Sequence, residues 1–323
     1  MKEKILEMLK NSEGYVSGQK LCSEFSVSRT AVWKAVNALR AEGYIIESST
    51  NRGYMLKGVC DIVTADEVRK NLKTSHIGSD IYVLDTVDST NNFAKNLGLN
   101  GAKSGIAVLA REQTGGKGRL GRVWSVPKDS GVMMSVLLRP NISPSEVAAV
   151  TPLAGIAVCK VLSALCTDDN VKIKWPNDVL IGKKKVCGIL TELTAETDRV
   201  GFIVIGIGVN VDKNSFPQEL SAKATALSLE TDVRYKKSEI AAAILNELET
   251  VLTENEFSLK QEALEYYKNT CVNLGRNIGF VRKGEQIYAK AVDISDNGEL
   301  IAEGSGGVIY RLSSGEVTVS GIY

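Results

Sequence analysis

Apolar side chains in the first 60 residues recur with a helical period. The longest such segment carries them at positions i, i+3, i+4 and i+7: Val32, Ala35, Val36 and Leu39. This spacing predicts an amphipathic helix, with Ser28 as its N-cap and Gly43 as its stop. Two shorter helical segments precede it. A β-rich run with a turn at Asn51 and Gly53 follows it, so the pattern predicts three helices and a hairpin.

The other face of the third predicted helix is polar. Its candidate contact residues are Ser28, Arg29, Thr30, Lys34 and Asn37. Residues 1–60 hold nine Lys and Arg against six Asp and Glu, a net charge of +3 in a chain whose total is +1. A helix that buries one stripe and offers hydrogen-bond donors on the other is typical of DNA recognition. We predict a winged helix-turn-helix DNA-binding domain over residues 1–62; the alternative is an interaction module whose charged face is only solvated.

From residue 63 to about 270, strand and helix patterns mix irregularly. Apolar runs such as "IAVLA", "GVMMSVLL" and "FIVIGIGVNV" predict strands, and long helical patterns begin at Ser143 and Lys236. We predict a mixed α+β domain with its helices on one face of the sheet. Residues 271–323 change to short strands separated by glycine turns, which predicts a small β-barrel.

The cysteines, the apolar runs and the single histidine limit the kinds of site that the chain can form. Six cysteines are scattered without a C-x-x-C pair, which favours reduced thiols in the cytoplasm over disulfides or a zinc site, so no metal site is predicted. The most apolar run is too short to span a bilayer, and no membrane partner is expected. The one histidine, His76, lies in a polar stretch, so we expect a chemistry that needs no histidine base.

The segment "QTGGKGRLGR", residues 113–122, holds four glycines together with the cations Lys117, Arg119 and Arg122. Close cations repel one another unless an anion lies among them, and glycine N–H groups can close around a phosphate or a carboxylate. No G-K-[ST] ends the segment, so it is not a P-loop. We predict an anion-binding loop; the alternative is a solvated surface loop.

Three further segments carry candidate groups. "DSTN" places hydroxyls and an amide at the start of a helix, and "KWPND" places Asn177 at a rigid turn that is followed by Lys185. Gly206 and Gly208 in "IGIGVNV" predict close approach by a ligand or by another part of the backbone. A third glycine and a following helix are missing there, which excludes a dinucleotide-binding fingerprint.

Together, "DSTN", "GGKGRLGR", "KWPND" with its following lysine and "IGIGVNV" resemble, in order, the signature segments of the biotin–protein ligases. The resemblance covers essentially the whole chain and is to the bifunctional type that is also the biotin operon repressor. It implies a winged helix (1–62), a catalytic domain (63–270) and a C-terminal SH3-like barrel (271–323). It also implies that biotin and ATP, with Mg²⁺, give biotinoyl-5′-AMP, whose biotinyl group passes to a lysine of a biotin carboxyl carrier protein.

The resemblance also assigns residues. It implies Arg119 and Lys185 as the catalytic residues. It implies a biotin site formed by Ser89, Thr90, Asn91, Gln113, Lys117, Gly118, Arg119 and Lys185. On the nucleotide side it implies Lys117, Arg119, Arg122, Trp124, Asn177 and Asn210. Lys117 stands where many members have arginine, which keeps the charge but loses the planar fork. Ligand binding is expected to order residues 111–126 and to promote a homodimer that binds operator DNA.

Three other functions stay open at this point. A lipoate ligase shares the chemistry but would lack the DNA-binding domain. A ligand-sensing repressor could retain the ligase scaffold without turnover, and measurable pyrophosphate formation separates it from an enzyme. A ligase whose winged helix no longer represses would form the adenylate but would not shift DNA.

Overall fold

The computed structural model describes residues 1–41, 43–59, 61–166, 170–196, 199–212, 216 and 220–322. The chain divides into two compact units, Met1–Thr64 and Ala65–Tyr323. The second unit contains both the central sheet and the C-terminal sheet. The finer division into a catalytic domain over 63–270 and a barrel over 271–323 stays a prediction.

The first unit contains three helices and a two-stranded hairpin, as the hydrophobic pattern predicts. These are α1 (Lys2–Lys10), α2 (Gly18–Phe25), α3 (Arg29–Ala41), β1 (Tyr44–Ser49) and β2 (Gly53–Val59). The Ser17 side chain accepts a hydrogen bond from the Lys20 N–H and caps α2. The Ser28 hydroxyl accepts from the Ala31 N–H at 3.2 Å, so the predicted cap of α3 is present.

A glycine at position 53 fastens the hairpin to the helices. Gly53 has φ +104°, and a Cβ there would lie 2.1 Å from the Val16 carbonyl oxygen. Val16 and Tyr54 exchange two backbone hydrogen bonds of 2.8 and 2.9 Å across this close approach. The hairpin therefore belongs to the same packed unit as the helices, whose core includes Ile5, Leu21 and the apolar stripe of α3.

A seven-stranded sheet forms the centre of the second unit, with the order β3-β4-β5-β9-β8-β7-β6. Among the neighbouring strands in the described part of the chain, β3 and β4 pair in parallel and all the other pairs are antiparallel. The strands are β3 (Ile81–Leu84), β4 (Ile106–Ala110), β5 (Gly131–Leu138), β6 (Val171–Lys174), β7 (Asp178–Ile181), β8 (Lys184–Glu196) and β9 (Arg199–Asn210). The sequence pattern did not predict β7.

Helices cover both faces of this sheet, so the prediction of helices on one face is wrong. Every residue of β4 and β5 is buried, on both sides of the strands. Helix α5 (Thr90–Leu99) packs on one face through Ala94 against Ile106 and Phe202. Helices α6 (Val150–Cys166) and α8 (Lys237–Asn255) pack on each other and against β8 and β5. The other helices are α4 (Ala65–Asn71), α7 (Leu227–Glu230) and α9 (Gln261–Thr270).

The helix predicted from Ser143 begins later. The Ser143 N–H and hydroxyl both bond to the Glu146 carboxylate, Glu146–Ala149 form a 3₁₀ turn, and α6 begins at Val150. By length and composition, Glu146–Cys166 could cross a membrane, but 67% of its apolar window is buried inside the protein. Packing against α8 and the sheet accounts for its apolar character.

The C-terminal segment forms a five-stranded antiparallel sheet of order β13-β12-β11-β10-β14. Its strands are β10 (Asn277–Arg282), β11 (Glu285–Ile294), β12 (Leu300–Gly304), β13 (Ile309–Leu312) and β14 (Val317–Val319). Trp175, only 2% exposed, ties this sheet to the central one. Its indole N–H donates to the Gly298 carbonyl at 2.9 Å, and its backbone N–H donates to Asn273 Oδ1 at 2.8 Å.

Candidate active site

The glycine-rich segment folds into a tight hairpin-like loop. Lys117 pairs with Val123, and the Trp124 N–H donates to the Gly116 carbonyl at 2.9 Å. Leu120 and Gly121 form the tip with φ of +54° and +76°, and Leu120 is 72% exposed. The predicted ordering of residues 111–126 by ligand stays a prediction.

The two ends of the loop are clamped together. Arg111, directly after β4, donates two parallel hydrogen bonds of 2.8 Å to the Asp129 carboxylate just before β5. Arg111 also pairs with Asp85, which accepts a further bond from Lys128. Bidentate Arg–carboxylate pairs fix geometry as well as charge. The loop therefore projects from a rigid base.

Glycines on β8 and β9 form a floor beneath the loop. Gly188 and Gly208 are cross-strand partners, and the Trp124 ring lies over both of them. A Cβ on Gly208 would lie 2.5 Å from Trp124 Cε2, and a Cβ on Gly188 would lie 3.1 Å from Trp124 Cζ3. A Cβ on Gly206 would lie 2.1 Å from Asn91 Oδ1. The close approach predicted for these glycines is therefore made by side chains of the protein itself.

A buried polar network lies where the start of α5 meets the sheet. Gln113 Oε1 accepts from the Thr90 N–H at 2.7 Å and lies 3.0 Å from its hydroxyl. Ser135 Oγ lies 2.7 Å from Thr90 Oγ1 and 2.6 Å from Asn91 Oδ1. The Asn91 amide also donates to Glu192 at 2.8 Å. Because buried polar groups are costly unless paired, this network fixes the orientation of each member.

One side of the pocket is cationic. Lys185 Nζ lies 2.7 Å from Asp178 Oδ1 and 5.3 Å from the centre of the Trp124 ring. Arg119 donates to Asn177 Oδ1 at 3.2 Å, and the Asn177 amide donates to the Ile189 carbonyl. The loop cation is thereby held against the turn that precedes β7.

Burial perturbs two of these cations. Desolvation lowers the pKa of the Arg119 guanidinium, and the nearby Asp178 carboxylate opposes that shift. Lys174 is 8% exposed, and desolvation lowers its pKa as well. The carboxylates of Asp178 and Glu316 oppose this decrease in pKa, whereas the positive charges of Lys185 and Arg122 add to it. A cluster of partly desolvated cations interacts strongly with an anionic ligand.

The C-terminal sheet also reaches this pocket. Gly315, Glu316, Val317 and Thr318 line it, and the Glu316 carboxylate pairs with Arg122 on the loop. Both side chains of this ion pair are more than half exposed.

One pocket of about 540 Å³ brings together every residue predicted for biotin or nucleotide. The predicted residues that line it are Ser89, Thr90, Asn91, Gln113, Lys117, Gly118, Arg119, Arg122, Trp124, Asn177, Lys185 and Asn210. Lys174, Asp178 and Glu316 also line it, and the sequence patterns assigned them to neither ligand. Lys174 and Asp178 belong to the "KWPND" segment that was singled out from the sequence, whereas nothing local indicates Glu316.

The predicted DNA-contacting residues lie on the surface of the first unit. Ser28, Arg29, Thr30 and Lys34 are exposed, and Asn37 is half-buried. Arg40 donates to Asn37 Oδ1 and to the Ile46 carbonyl, which joins α3 to β1. Trp33, also on α3, is 55% exposed and was not predicted to contact DNA.

No cysteine is among the described residues that line the pocket. Burial raises the pKa of the thiol of Cys187, and it raises that of Cys271 to about 11, which disfavours the reactive thiolate. Within the described residues, no group of three or more His, Cys, Asp or Glu side chains could hold a metal ion.

Fold and site together define a protein with a helix-turn-helix unit and a mixed α+β unit whose cationic pocket suits an anionic ligand. The biotin/lipoate A/B protein ligase family matches residues 83–210, a helix-turn-helix domain matches residues 2–55, and the biotin protein ligase C-terminal domain matches residues 274–320. The chain belongs to the biotin protein ligase family, within its group of bifunctional ligase/repressors.

Individual relatives agree with this assignment. The bifunctional ligase/repressor BirA of Bacillus spizizenii is 36% identical over 91% of each chain. The protein of the same name from Escherichia coli is 28% identical over 98% of this chain and 96% of its own. The biotin protein ligase of Aquifex aeolicus in complex with biotin and ATP is 28% identical. It superposes with a TM-score of 0.63 over 75% of this chain and 98% of that one.

Proposed function

We propose that this protein is an ATP-dependent biotin–protein ligase that also acts as a biotin-responsive transcriptional repressor. The observation that carries the proposal is the single pocket in which cations of the glycine-rich loop, Lys185 and the polar start of α5 converge. The BirA proteins of Bacillus spizizenii and Escherichia coli, named above, are bifunctional ligase/repressors.

In the first step, a carboxylate oxygen of biotin attacks the α-phosphorus of ATP. The bond from that phosphorus to the β-phosphate bridging oxygen breaks, and biotinoyl-5′-AMP and pyrophosphate form. Two anions must approach each other, so fixed cations lower the barrier most. Arg119 and Lys185 are the proposed catalytic residues because both cations line the pocket and the resemblance of their segments to the family's signatures assigns them this role. Lys117 and Gly118 lie on the same loop and are proposed to contact the biotin carboxylate and the phosphate.

The biotin head is proposed to lie at the start of α5. Its ureido ring needs both hydrogen-bond donors and acceptors, which Ser89, Thr90 and Gln113 provide. Asn91 is assigned to this site as well. Its amide already bonds to Ser135 and Glu192, so it supports the biotin site by fixing the neighbouring Thr90 rather than by offering free donors.

The nucleotide is proposed to occupy the side formed by Trp124, Asn177, Asn210 and Arg122, next to Lys117 and Arg119. Mg²⁺ is held mainly by ATP phosphates and waters, with one or two protein carboxylates. Asp178 and Glu316 are the carboxylates among the described lining residues, and such hard oxygen donors fit an ion that arrives with ATP. When bound, the ion would supply charge neutralisation at the phosphates.

In the second step, the amine of a lysine on a biotin carboxyl carrier protein attacks the biotinoyl carbonyl. An amide bond forms, AMP leaves, and the amine loses a proton. A biotin-dependent carboxylase such as acetyl-CoA carboxylase supplies the carrier; a ligase named for that carboxylase, from Mycobacterium tuberculosis, is 30% identical over 66% of this chain.

The repressor activity is assigned to the first unit. Ser28, Arg29, Thr30, Lys34 and Asn37 are proposed to contact operator DNA, with the hairpin as the wing. Biotinoyl-AMP is proposed to close the loop and to promote a homodimer, which presents two such helices to a palindromic operator. We also propose that the protein is cytoplasmic. The C-terminal sheet is proposed to have an SH3-like fold.

Radiolabelled biotin tests the proposal directly. Purified protein, ATP, Mg²⁺ and an acceptor carrier domain should give a labelled carrier and one equivalent each of AMP and pyrophosphate. Radiolabelled lipoate in place of radiolabelled biotin should give no labelled carrier. Titration calorimetry should show no heat of lipoate binding. Operator binding without any pyrophosphate would instead identify a ligand-sensing repressor that has lost turnover.

A further inference from the structure

A large apolar side chain is exposed on the helix assigned to DNA. Trp33 lies in the second turn of α3 and is 55% exposed. The helix buries Val32, Ala35, Val36 and Leu39 in the core of the first unit. Trp33 is neither in that core nor among the partly buried side chains described as packing on it. Its apolar surface therefore contributes little to the stability of this unit.

The neighbours of Trp33 are polar and cationic. Side chains three and four positions apart share a helix face, so Trp33 lies beside Arg29, Thr30 and Asn37. These residues and the adjacent Lys34 form the surface proposed to meet DNA. Trp33 lies near its middle, in the half of the helix that enters the major groove in helix-turn-helix proteins.

In the major groove, the apolar group on the base edges that an indole ring can contact is the C5-methyl group of thymine. The edges of guanine, cytosine and adenine present hydrogen-bond donors and acceptors, whereas thymine also presents its C5-methyl group. The flanking cations favour phosphates on either side of the groove. The chemistry of this surface is therefore complementary to a thymine between phosphate contacts.

We propose that Trp33 is a specificity-determining residue that contacts a thymine C5-methyl group in each operator half-site. The inference rests on the proposed repressor function and adds to it the base that one side chain recognises. Arg29 and Lys34 position the helix on the backbone, while Trp33 discriminates between sequences.

Replacement of thymine by deoxyuridine removes only the methyl group, and it tests the inference without changing base pairing. The full-length protein, with biotin, ATP and Mg²⁺, first selects duplexes from a random 40-base-pair library. Each thymine of the selected duplex is then replaced by deoxyuridine, one position at a time, and the Kd is measured at fixed salt. We expect one position per half-site at which the loss is about four- to tenfold, the range for burial of one methyl group.

Variants of the helix separate this contact from general affinity. Trp33→Ala should bind the selected duplex and its deoxyuridine form equally, whereas Trp33→Phe should keep part of the preference. Lys34→Ala should weaken both duplexes by the same factor and reduce the salt dependence. Thermal unfolding of each variant should match that of the wild type, because Trp33 does not pack in the core.

Two results overturn the inference. Wild-type protein that binds every deoxyuridine duplex as tightly as the thymine duplex would show that no methyl group is contacted. A preference that persists in Trp33→Ala would assign the contact to another residue. Failure of the wild type to enrich any duplex is a different result, since it rejects the proposed repressor function together with the inference.

Discussion

At the scale of single residues, three glycines on β8 and β9 leave space that other side chains of the pocket occupy. Gly206 leaves the space that the Asn91 amide occupies, and Gly188 and Gly208 leave the space for Trp124. The sequence indicated that something approaches these glycines closely. It could not show which side chains these are, because Asn91 and Trp124 lie far from the three glycines along the chain.

Gly206→Ala should disrupt the biotin site. The added Cβ would overlap Asn91 Oδ1 at 2.1 Å and displace the amide from Ser135. We expect a loss of about 1–3 kcal/mol in unfolding free energy and a roughly 10- to 100-fold loss in kcat/KM for biotin. Urea unfolding and steady-state kinetics measure the two effects.

Gly155→Ala is the matched control for that change. Gly155 is also buried in the second unit, but its new Cβ would make an ordinary contact of 3.8 Å with Ile173. In the middle of a helix, alanine in place of glycine should raise stability by about 0.5–1 kcal/mol. Equal effects of the two substitutions would contradict the role given to Gly206.

At the scale of elements, one carboxylate joins α8 to the segment before β3. Glu249 accepts hydrogen bonds from the backbone N–H groups of Ser75, His76 and Ile77 and from the Ser75 hydroxyl. Desolvation raises the pKa of Glu249, but these bonds together outweigh it and lower the pKa below its usual value. Since the folded-state pKa is depressed, the ionised form stabilises the fold above the unfolded-state pKa. That stabilisation is lost as pH falls through the folded-state pKa.

Glu249→Gln should therefore have a pH-dependent effect. Near pH 7 we expect a loss of about 1–2 kcal/mol, because hydrogen bonds to a charged acceptor are replaced by weaker ones. The difference from wild type should shrink as pH falls below about 4.3, the usual pKa of glutamate in unfolded chains. Urea unfolding at several pH values measures it. Glu254→Gln, exposed on the same helix, should show a small difference at every pH; an equally flat profile for Glu249→Gln would contradict the account.

The hydrophobic pattern predicted most elements but not all. The first unit follows its pattern closely, because caps such as Ser17 and Ser28 act locally. Strand β7 was missed because "DVLI" is short and follows directly on the "WPN" turn. Helix α9 was missed because its apolar stripe is narrow: only Ala263 and Tyr267 are buried. Coverage of both sheet faces depends on long-range packing, which local periodicity does not encode.

At the scale of the whole molecule, the C-terminal sheet completes the pocket. Glu316 pairs with Arg122 across 194 positions of sequence. Motif order along the chain predicted that the loop, "KWPND" and "DSTN" meet in one site, but no local pattern pointed to a contribution from residues 315–318. Such a contact becomes visible only when the two sheets are folded together.

Glu316→Gln should weaken nucleotide binding more than it weakens folding. Both partners are largely exposed, so the ion pair contributes at most about 1 kcal/mol to stability. Loss of the partner of Arg122 should raise the KM for ATP about two- to fivefold at low salt, and less at high salt because exposed charges are screened. Glu299→Gln, which removes a carboxylate paired with Arg311 in the same sheet, should leave this KM unchanged. Matching KM values for the two variants would show that the contact has no role.

Ligand should also change the assembly of the whole molecule. If closure of the loop promotes the homodimer, sedimentation velocity should show a larger species with biotin and ATP together than with either alone. An unchanged sedimentation coefficient at micromolar protein would count against ligand-promoted association, while leaving the ligase activity untouched.

Biotin-dependent exchange of labelled pyrophosphate into ATP is the most direct test of the central claim, that the cations of this pocket adenylate biotin. Wild-type protein should exchange label only when biotin is present. Arg119→Ala and Lys185→Ala should each lower the rate by roughly 100-fold or more, since both groups stabilise charge in the transition state. Full exchange in both variants, or none in well-folded wild-type protein, would contradict the account.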